Sequence, residues 1–204
     1  MTVFLTNAQV SDYNQSQLTK FSTPVIKIRA QDSKKDLYTG RAKITITNDK
    51  PHETGGLAAE VQVAVNARYM HTKNTDLSDG LVNGAVGTVT HIEIDQNHLL
   101  NGTIYVEFDN PNIGREAKKT SKFKNSVPIK AVTSMFSHSE KAASVQVERT
   151  QYPGTLARGI TVHKSQGSTY EYMIGDMTQK SSNHKINEGQ MYTMLSRVKS
   201  RKIF

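Results

Sequence analysis

The sequence predicts an α/β fold interrupted by a β-rich insertion, and three observations carry the prediction. A short apolar run, a polar cap and an amphipathic stretch open the chain. Short β-branched segments separated by turn residues fill the middle, and strand-then-helix patterning returns after them. The boundaries read from composition are 1–56, 57–148 and 149–204.

The elements follow in order. "VFL" at 3–5 reads as a buried strand. Thr6 or Asn7 can cap a helix on which Val10, Tyr13, Gln17 or Leu18, and Phe21 share a face. Positions 31–56 turn polar, with Asp32, Lys34, Lys35 and Asp36 before "NDKPHETGG", and read as a connector or a mobile loop around a short "KITIT" strand. "EVQVAVNARYMHT", "AVGTVTHIEID", "GTIYVEFD", "SVPIKAV" and "ASVQVER" read as strands, with Ile104, Val106 and Phe108 alternating against Tyr105 and Glu107, and Val145 and Val147 against Gln146 and Glu148. Their spacing suggests a small barrel. "RGITV" is then a strand, "HKSQGSTYE" a loop and helix start, and "YMIGDM" a strand. "NEGQMYTMLSRVKS" is a helix with Met191, Met194 or Leu195, and Val198 on one face.

Composition narrows the function classes. The 204 residues carry 26 Lys and Arg against 18 Asp and Glu, a net charge of +8, which favours phosphate-bearing or other acidic partners. The absence of cysteine removes any disulfide partner and any thiolate zinc site, and fits a reducing intracellular compartment. The longest apolar stretch, "GLAAEVQVAVNARYM", is broken by Glu60, Gln62, Asn66 and Arg68, so no membrane span is expected. The seven histidines are scattered without metal-binding spacing, and no catalytic triad signature occurs.

The densest chemistry lies in "GITVHKSQGSTY", 159–170. A turn directly behind a buried strand is forced to the sheet edge, where open α/β folds bind ligands. There Thr161 and Ser165 offer hydroxyls, His163 a donor or stacking ring and Lys164 a charge, while Gly167 lets a backbone N–H approach an anion. Each also has a plain structural role open to it: a helix cap for Thr161, a surface imidazole for His163, a solvated charge for Lys164, a helix terminator for Gly167. In "GQMYTMLSRVKSRKIF", Arg197 offers a planar fork suited to a transferring phosphate, or simply complements the C-terminus of its helix.

"ITVHKSQGST" resembles helicase motif V and "GQMYTMLSRVKS" resembles motif VI of the superfamily-one DNA helicases that move 5′ to 3′, the group containing the PIF and RecD helicases. "FLTNAQVSDYNQSQL" is similar to the start of the second motor domain of the PIF branch. "ARYMHTKNTDLSDGLVNGAVGTVTHIE" is similar to the segment leading into its inserted SH3-like module. Helicases of Helitron transposons share the style. The four ordered blocks resemble the C-terminal part of a PIF-like helicase.

The resemblance implies a RecA-like second motor domain of the P-loop NTPase type, without its P-loop half, interrupted by an SH3-like β-barrel. In that scheme 1–56 opens the motor domain, 57–148 is the insertion with its lead-in strand, and 149–204 completes the domain with motifs V and VI. Arg197 becomes the arginine that reaches the ATP γ-phosphate, with Gln166 and Gly167 beside the nucleotide and Gln190 supporting the motif VI helix. Thr161, His163, Lys164 and Ser165 become contacts to single-stranded or forked DNA. ATP and Mg2+ are the implied cofactors, a preceding motor domain the implied partner, and nucleus or mitochondrion the implied location.

No "GK[ST]" tripeptide and no acidic pair behind an apolar strand occur in these 204 residues. The expectation is a C-terminal motor fragment, inactive alone, whose "RKIF" begins a further strand. A non-catalytic single-strand-binding module, and a protein-interaction module built on the small barrel, are the other readings the residues allow.

Overall fold

A computed structural model describes residues 1–36, 40–44, 53–95, 99–140, 143–167, 169–178 and 188–199. The first elements are β1 (Thr2–Phe4), α1 (Asn7–Leu18), β2 (Ile26–Arg29), β3 (Gln31–Asp36), β4 (Gly40–Ile44), β5 (Glu60–Val63), β6 (Arg68–His71), β7 (Val86–Glu93) and β8 (Thr103–Phe108). After them come α2 (Arg115–Lys119), β9 (Val127–Ile129), β10 (Val132–Glu140), β11 (Ala143–Gln151), β12 (Gly154–Leu156) and β13 (Gly159–Thr161). A 3-10 turn (His163–Ser165), β14 (Ile174–Asp176) and α3 (Glu188–Leu195) complete the set. No helix among the described residues is long and apolar enough to cross a membrane.

The chain divides into two units, the first made of Met1–Phe21 and Ala157–Phe204, the second of Ser22–Leu156. In the first, β1 lies between β13 and β14 and runs parallel to both, with Val3 opposite Ile160 and Gly175. Thr6 caps α1 through a reciprocal box with Gln9, as the sequence leads one to expect. The buried face of the helix is more polar than its periodicity implies, because Gln9 and Asn14 are buried with Leu18. Asn14 works as a false ladder rung: its Nδ2 donates to the Gly159 carbonyl at 3.0 Å, and its Oδ1 accepts from the Gly159 N–H at 2.7 Å. Those bonds satisfy backbone groups of β13 that would otherwise be buried unpaired.

The second unit is antiparallel. Its largest sheet has the order β12-β6-β7-β8-β9, and the others are β10-β11-β3-β4 and the pair β2-β5. Ile28, Val61, Tyr69, Val89, Ile104 and Val106 are among the residues that close its core. Tyr105 departs from the simple alternation: it is buried on the outer face of β8 beneath Phe123. Arg149 and Asp32 form a buried pair, at 2.7 Å through Nε and 2.8 Å through Nη2, with side-chain exposures of 0% and 3%. Arg149 also donates to the Leu57 carbonyl and lies over the Phe136 ring.

By its contacts the chain divides at 21/22 and 156/157, where composition reads 57–148 for the middle segment, because β2 pairs with β5 and β3 pairs with β11. Two expectations need correction. Part of the polar 31–56 stretch is strand rather than connector: β3 and β4 pair, and Asp32 points at a partner 117 positions away that local composition cannot reveal. The rest of "KITIT", the "NDKPH" that follows and "RKIF" lie outside the described residues. Finally, α3 ends at Leu195, and of its expected apolar face only Met194 is deeply buried, with Met191 and Leu195 39% and 41% exposed. Gly175 sets that geometry, since a Cβ there would collide with the Met194 sulfur.

Candidate functional site

Because β13, β1 and β14 are parallel, their last residues, Thr161, Phe4 and Asp176, open on one sheet edge. Open α/β sheets bind ligands at that edge. The edge is braced from the α1 cap: Gln9 Oε1 accepts from the Thr6 N–H and hydroxyl, and Gln9 Nε2 donates to the Thr178 carbonyl at 2.8 Å. Val162 N–H donates to the Phe4 carbonyl, which carries the ladder one residue into the turn.

The turn sorts its polar groups by direction. Ser165 is fully buried and donates its hydroxyl proton to the Val162 carbonyl at 2.6 Å. Thr161 is also buried, and its Oγ1 accepts from the Lys164 N–H at 3.4 Å. Both hydroxyls hold the turn together, where the resemblance has them facing a strand. His163, Lys164, Gln166 and Gly167 lie on the exposed side. Desolvation by the surrounding chain lowers the Lys164 ammonium below its ordinary value. Gly167 has a φ of +79° with open space where a Cβ would stand, so glycine is required there by backbone conformation and leaves its amide accessible. No helix follows among 169–178: the chain runs into β14 instead, correcting the expected helix start.

Gln190 sits part-exposed on α3. Arg197 lies two residues past the helix, half-buried, with Nε and Nη2 both donating to Ser196 Oγ at 3.1 and 2.9 Å. Ser196 in turn donates to the Thr193 carbonyl, so the guanidinium is held by the helix end itself. Tyr170 N–H donates to the Arg197 carbonyl at 2.8 Å, Lys199 N–H donates to the Tyr170 carbonyl at 3.1 Å, and Tyr170 and Val198 form a parallel bridge. Tyr170 follows Gly167 by three residues, a span of at most about 11 Å. The backbone therefore ties the turn to the arginine.

Sequence reasoning singles out the turn and Arg197 and gives no part to Asn14, Ser196 and Tyr170. The signals were present as a polar residue on the inner face of an amphipathic helix and a serine beside the arginine; Tyr170 gave none, since its role is carried by backbone. A guanidinium fork and an open glycine amide suit a nucleotide phosphate. Among the described residues, no group of three or more His, Asp and Glu side chains could hold a metal ion, so the implied Mg2+ has no fitting ligand set there.

No family model matches the chain. A Pif1 ATP-dependent DNA helicase from Bdellovibrio bacteriovorus is 30% identical over 146 residues, 72% of this chain and 27% of that protein. One from Campylobacter jejuni is 24% identical over 197 residues, 94% of this chain and 38% of that protein. In structure, the Pif1 helicase from Bacteroides in complex with ADP-AlF3 and ssDNA superposes with a TM-score of 0.63 at 24% identity, over 98% of this chain and 38% of that one. The chain thus spans well under half the length of the relatives it matches. In sequence and in fold it is Pif1-like, a relative of the ATP-dependent DNA helicases of that name.

Proposed function

We propose that this chain forms the second motor domain, with its insertion, of an ATP-dependent DNA helicase of the Pif1 type that moves 5′ to 3′ on single-stranded DNA, a kind found also in Helitron transposons. The bridge between Tyr170 and Val198 carries the reading, because it couples the strand-facing turn to the arginine expected at the γ-phosphate. His163 and Lys164 contact the single strand, by ring stacking and by phosphate attraction, on a turn that Thr161 and Ser165 hold in shape. Gln166 and the Gly167 amide lie toward the nucleotide, Gln190 supports α3, and Ser196 aims Arg197.

ATP, when bound with Mg2+ by the preceding motor domain, supplies the phosphoryl transfer. The contribution of this chain is a pre-aimed cation for the charge that develops on the transferring group. Because Arg197 and the turn share one backbone pairing, a shift at the nucleotide is passed to the strand contacts. The SH3-like character of the insertion belongs to the same proposal, and the fold likeness and the antiparallel strands of the second unit support it.

The test is single-strand-stimulated ATP hydrolysis, measured on the chain alone and on a fusion in which it replaces the matching part of the Bacteroides enzyme. The expected result is no turnover alone and turnover in the fusion, lost by about 10³-fold or more in Arg197→Ala. Magnesium-dependent turnover by the chain alone, abolished by the same substitution, would contradict the reading.

A further inference from the structure

On the second unit, far in sequence from the turn and from Arg197, the fold builds an outward aromatic stack. A bulge in β7 between Val89 and His91 makes Thr90 the extra residue, so Val89 and Ile92 both serve the core while His91 is turned to the exposed face. His91 stacks on Phe123 with ring centroids 3.6 Å apart and planes 5° from parallel, and Phe123 meets the edge of Tyr105 at 4.7 Å. Aromatic pairs left to themselves favour offset or edge-on geometry. A parallel pair at this spacing is also the spacing at which a nucleobase continues a stack.

The stack is prearranged. Thr90 Oγ1 donates to the Tyr105 carbonyl and bonds the Ser126 hydroxyl, which fixes the bulge to the loop that carries Phe123. The Phe123 carbonyl accepts from the Ser126 N–H, and Asn125 adopts a φ of +66° to close the loop. Glu93 accepts from both the Tyr105 hydroxyl and the Lys122 ammonium, at 2.9 Å each, and so anchors the residue before Phe123.

The loop that carries Phe123 is basic: between positions 115 and 130 of the sequence six cations stand against the acid Glu116, and while Lys122 is held by Glu93 and Lys119 by Glu116, Lys124 is exposed next to Phe123. Stacking rings with flanking lysines are the combination that holds single strands without reading sequence.

We propose that His91 and Phe123, with Lys124, form a second single-strand platform on which a base extends the aromatic stack while the lysine meets a flanking phosphate. It deepens the helicase reading but rests on residues separate from it. In function it would give the strand a second contact, so that the strand is not lost while the turn reopens.

The test uses labelled oligothymidylate by fluorescence anisotropy, and a 2-aminopurine oligonucleotide whose emission falls on stacking. His91→Ala should weaken binding about 5- to 100-fold and reduce the 2-aminopurine quenching. The exposed variant Lys124→Gln, which leaves packing untouched, should lower the log–log salt slope by about 0.7. Phe123→Tyr should keep the quenching. Affinity and quenching within twofold of the parent in His91→Ala/Lys124→Gln overturn the platform, even if His163→Ala/Lys164→Ala abolishes binding and so upholds the turn. Loss in the platform variant with none in the turn variant upholds the platform and counts against the turn. A DNA hairpin duplex that binds while oligothymidylate does not, or polyglutamate that competes as well as oligothymidylate does, would overturn the single-strand assignment.

Discussion

The two units bury polarity to different extents. The first spends neutral side chains on its own backbone: Asn14 on Gly159, Gln9 on Thr178, Ser165 on Val162. The second does the same with Gln151 on Ile28 and Tyr152, but closes a full apolar core and, among the described residues, adds a buried charged pair, Arg149 with Asp32. The first also leaves Tyr172, Ile174 and Tyr192 83%, 69% and 74% exposed. The difference teaches where each unit draws its order: the sheet edge of the first is shaped by neutral hydrogen bonds to backbone, while the second is locked by packing around a desolvated ion pair.

The largest effect expected from that contrast is at the ion pair. Asp32→Ala leaves a guanidinium buried without its carboxylate and should cost about 3–5 kcal/mol, read as a fall in the urea midpoint. Replacing both partners with apolar residues of similar size should cost far less. A loss below about 1 kcal/mol in the single variant, the range of an exposed pair such as Glu116 with Lys119, would erase the contrast.

Next comes pH. Burial lowers His71 to about 4, and its ring is wired between Tyr69 and Thr75. Tyr69 donates to the Pro153 carbonyl at 2.7 Å, so its oxygen accepts from His71 Nδ1–H and leaves Nε2 to accept from the Thr75 hydroxyl. The unfolded chain takes up this proton near 6.5 and the folded chain only near 4, so the unfolded state binds more protons between those values. Stability should fall as pH drops through that window, by about 3 kcal/mol in all, and level off below it. His71→Gln should flatten the slope of stability against pH by about one proton across the same window.

In the first unit Asn14→Ala should cost about 2 kcal/mol, because the N–H and carbonyl of Gly159 lose their partners. Its signature should be faster amide hydrogen exchange at Gly159 and its strand neighbours, with the second unit unchanged. The smallest effect is at the helix cap: Thr6→Ala should cost about 1 kcal/mol in thermal or urea unfolding.

Local features of the fold were legible where the governing interaction is short in sequence. The first strand, the Thr6 cap and the alternation of Ile104, Val106 and Phe108 followed from neighbours a few positions apart. The grouping of β3 with the second unit was not legible, because it comes from pairing with β11 and from the bond between Asp32 and Arg149, both across more than a hundred residues. At the site, the residue types in 161–167 were legible but their directions were not. Burial of Thr161 and Ser165 depends on how a 3-10 turn closes, and hydroxyls serve equally well inward or outward. His91 was hidden by a bulge, which reverses the very alternation that strand reading relies on.

The central claim is that the turn after β13 and the segment around Arg197 respond together to a single strand. Titrating the isotopically labelled chain with oligothymidylate and following backbone amide shifts tests it directly. The account predicts movement at His163, Lys164, Gln166 and Gly167, relayed through Tyr170 to Arg197 and Lys199. Binding that leaves the amides of 163–167 unmoved, or that moves them with no response at 197–199, would contradict it.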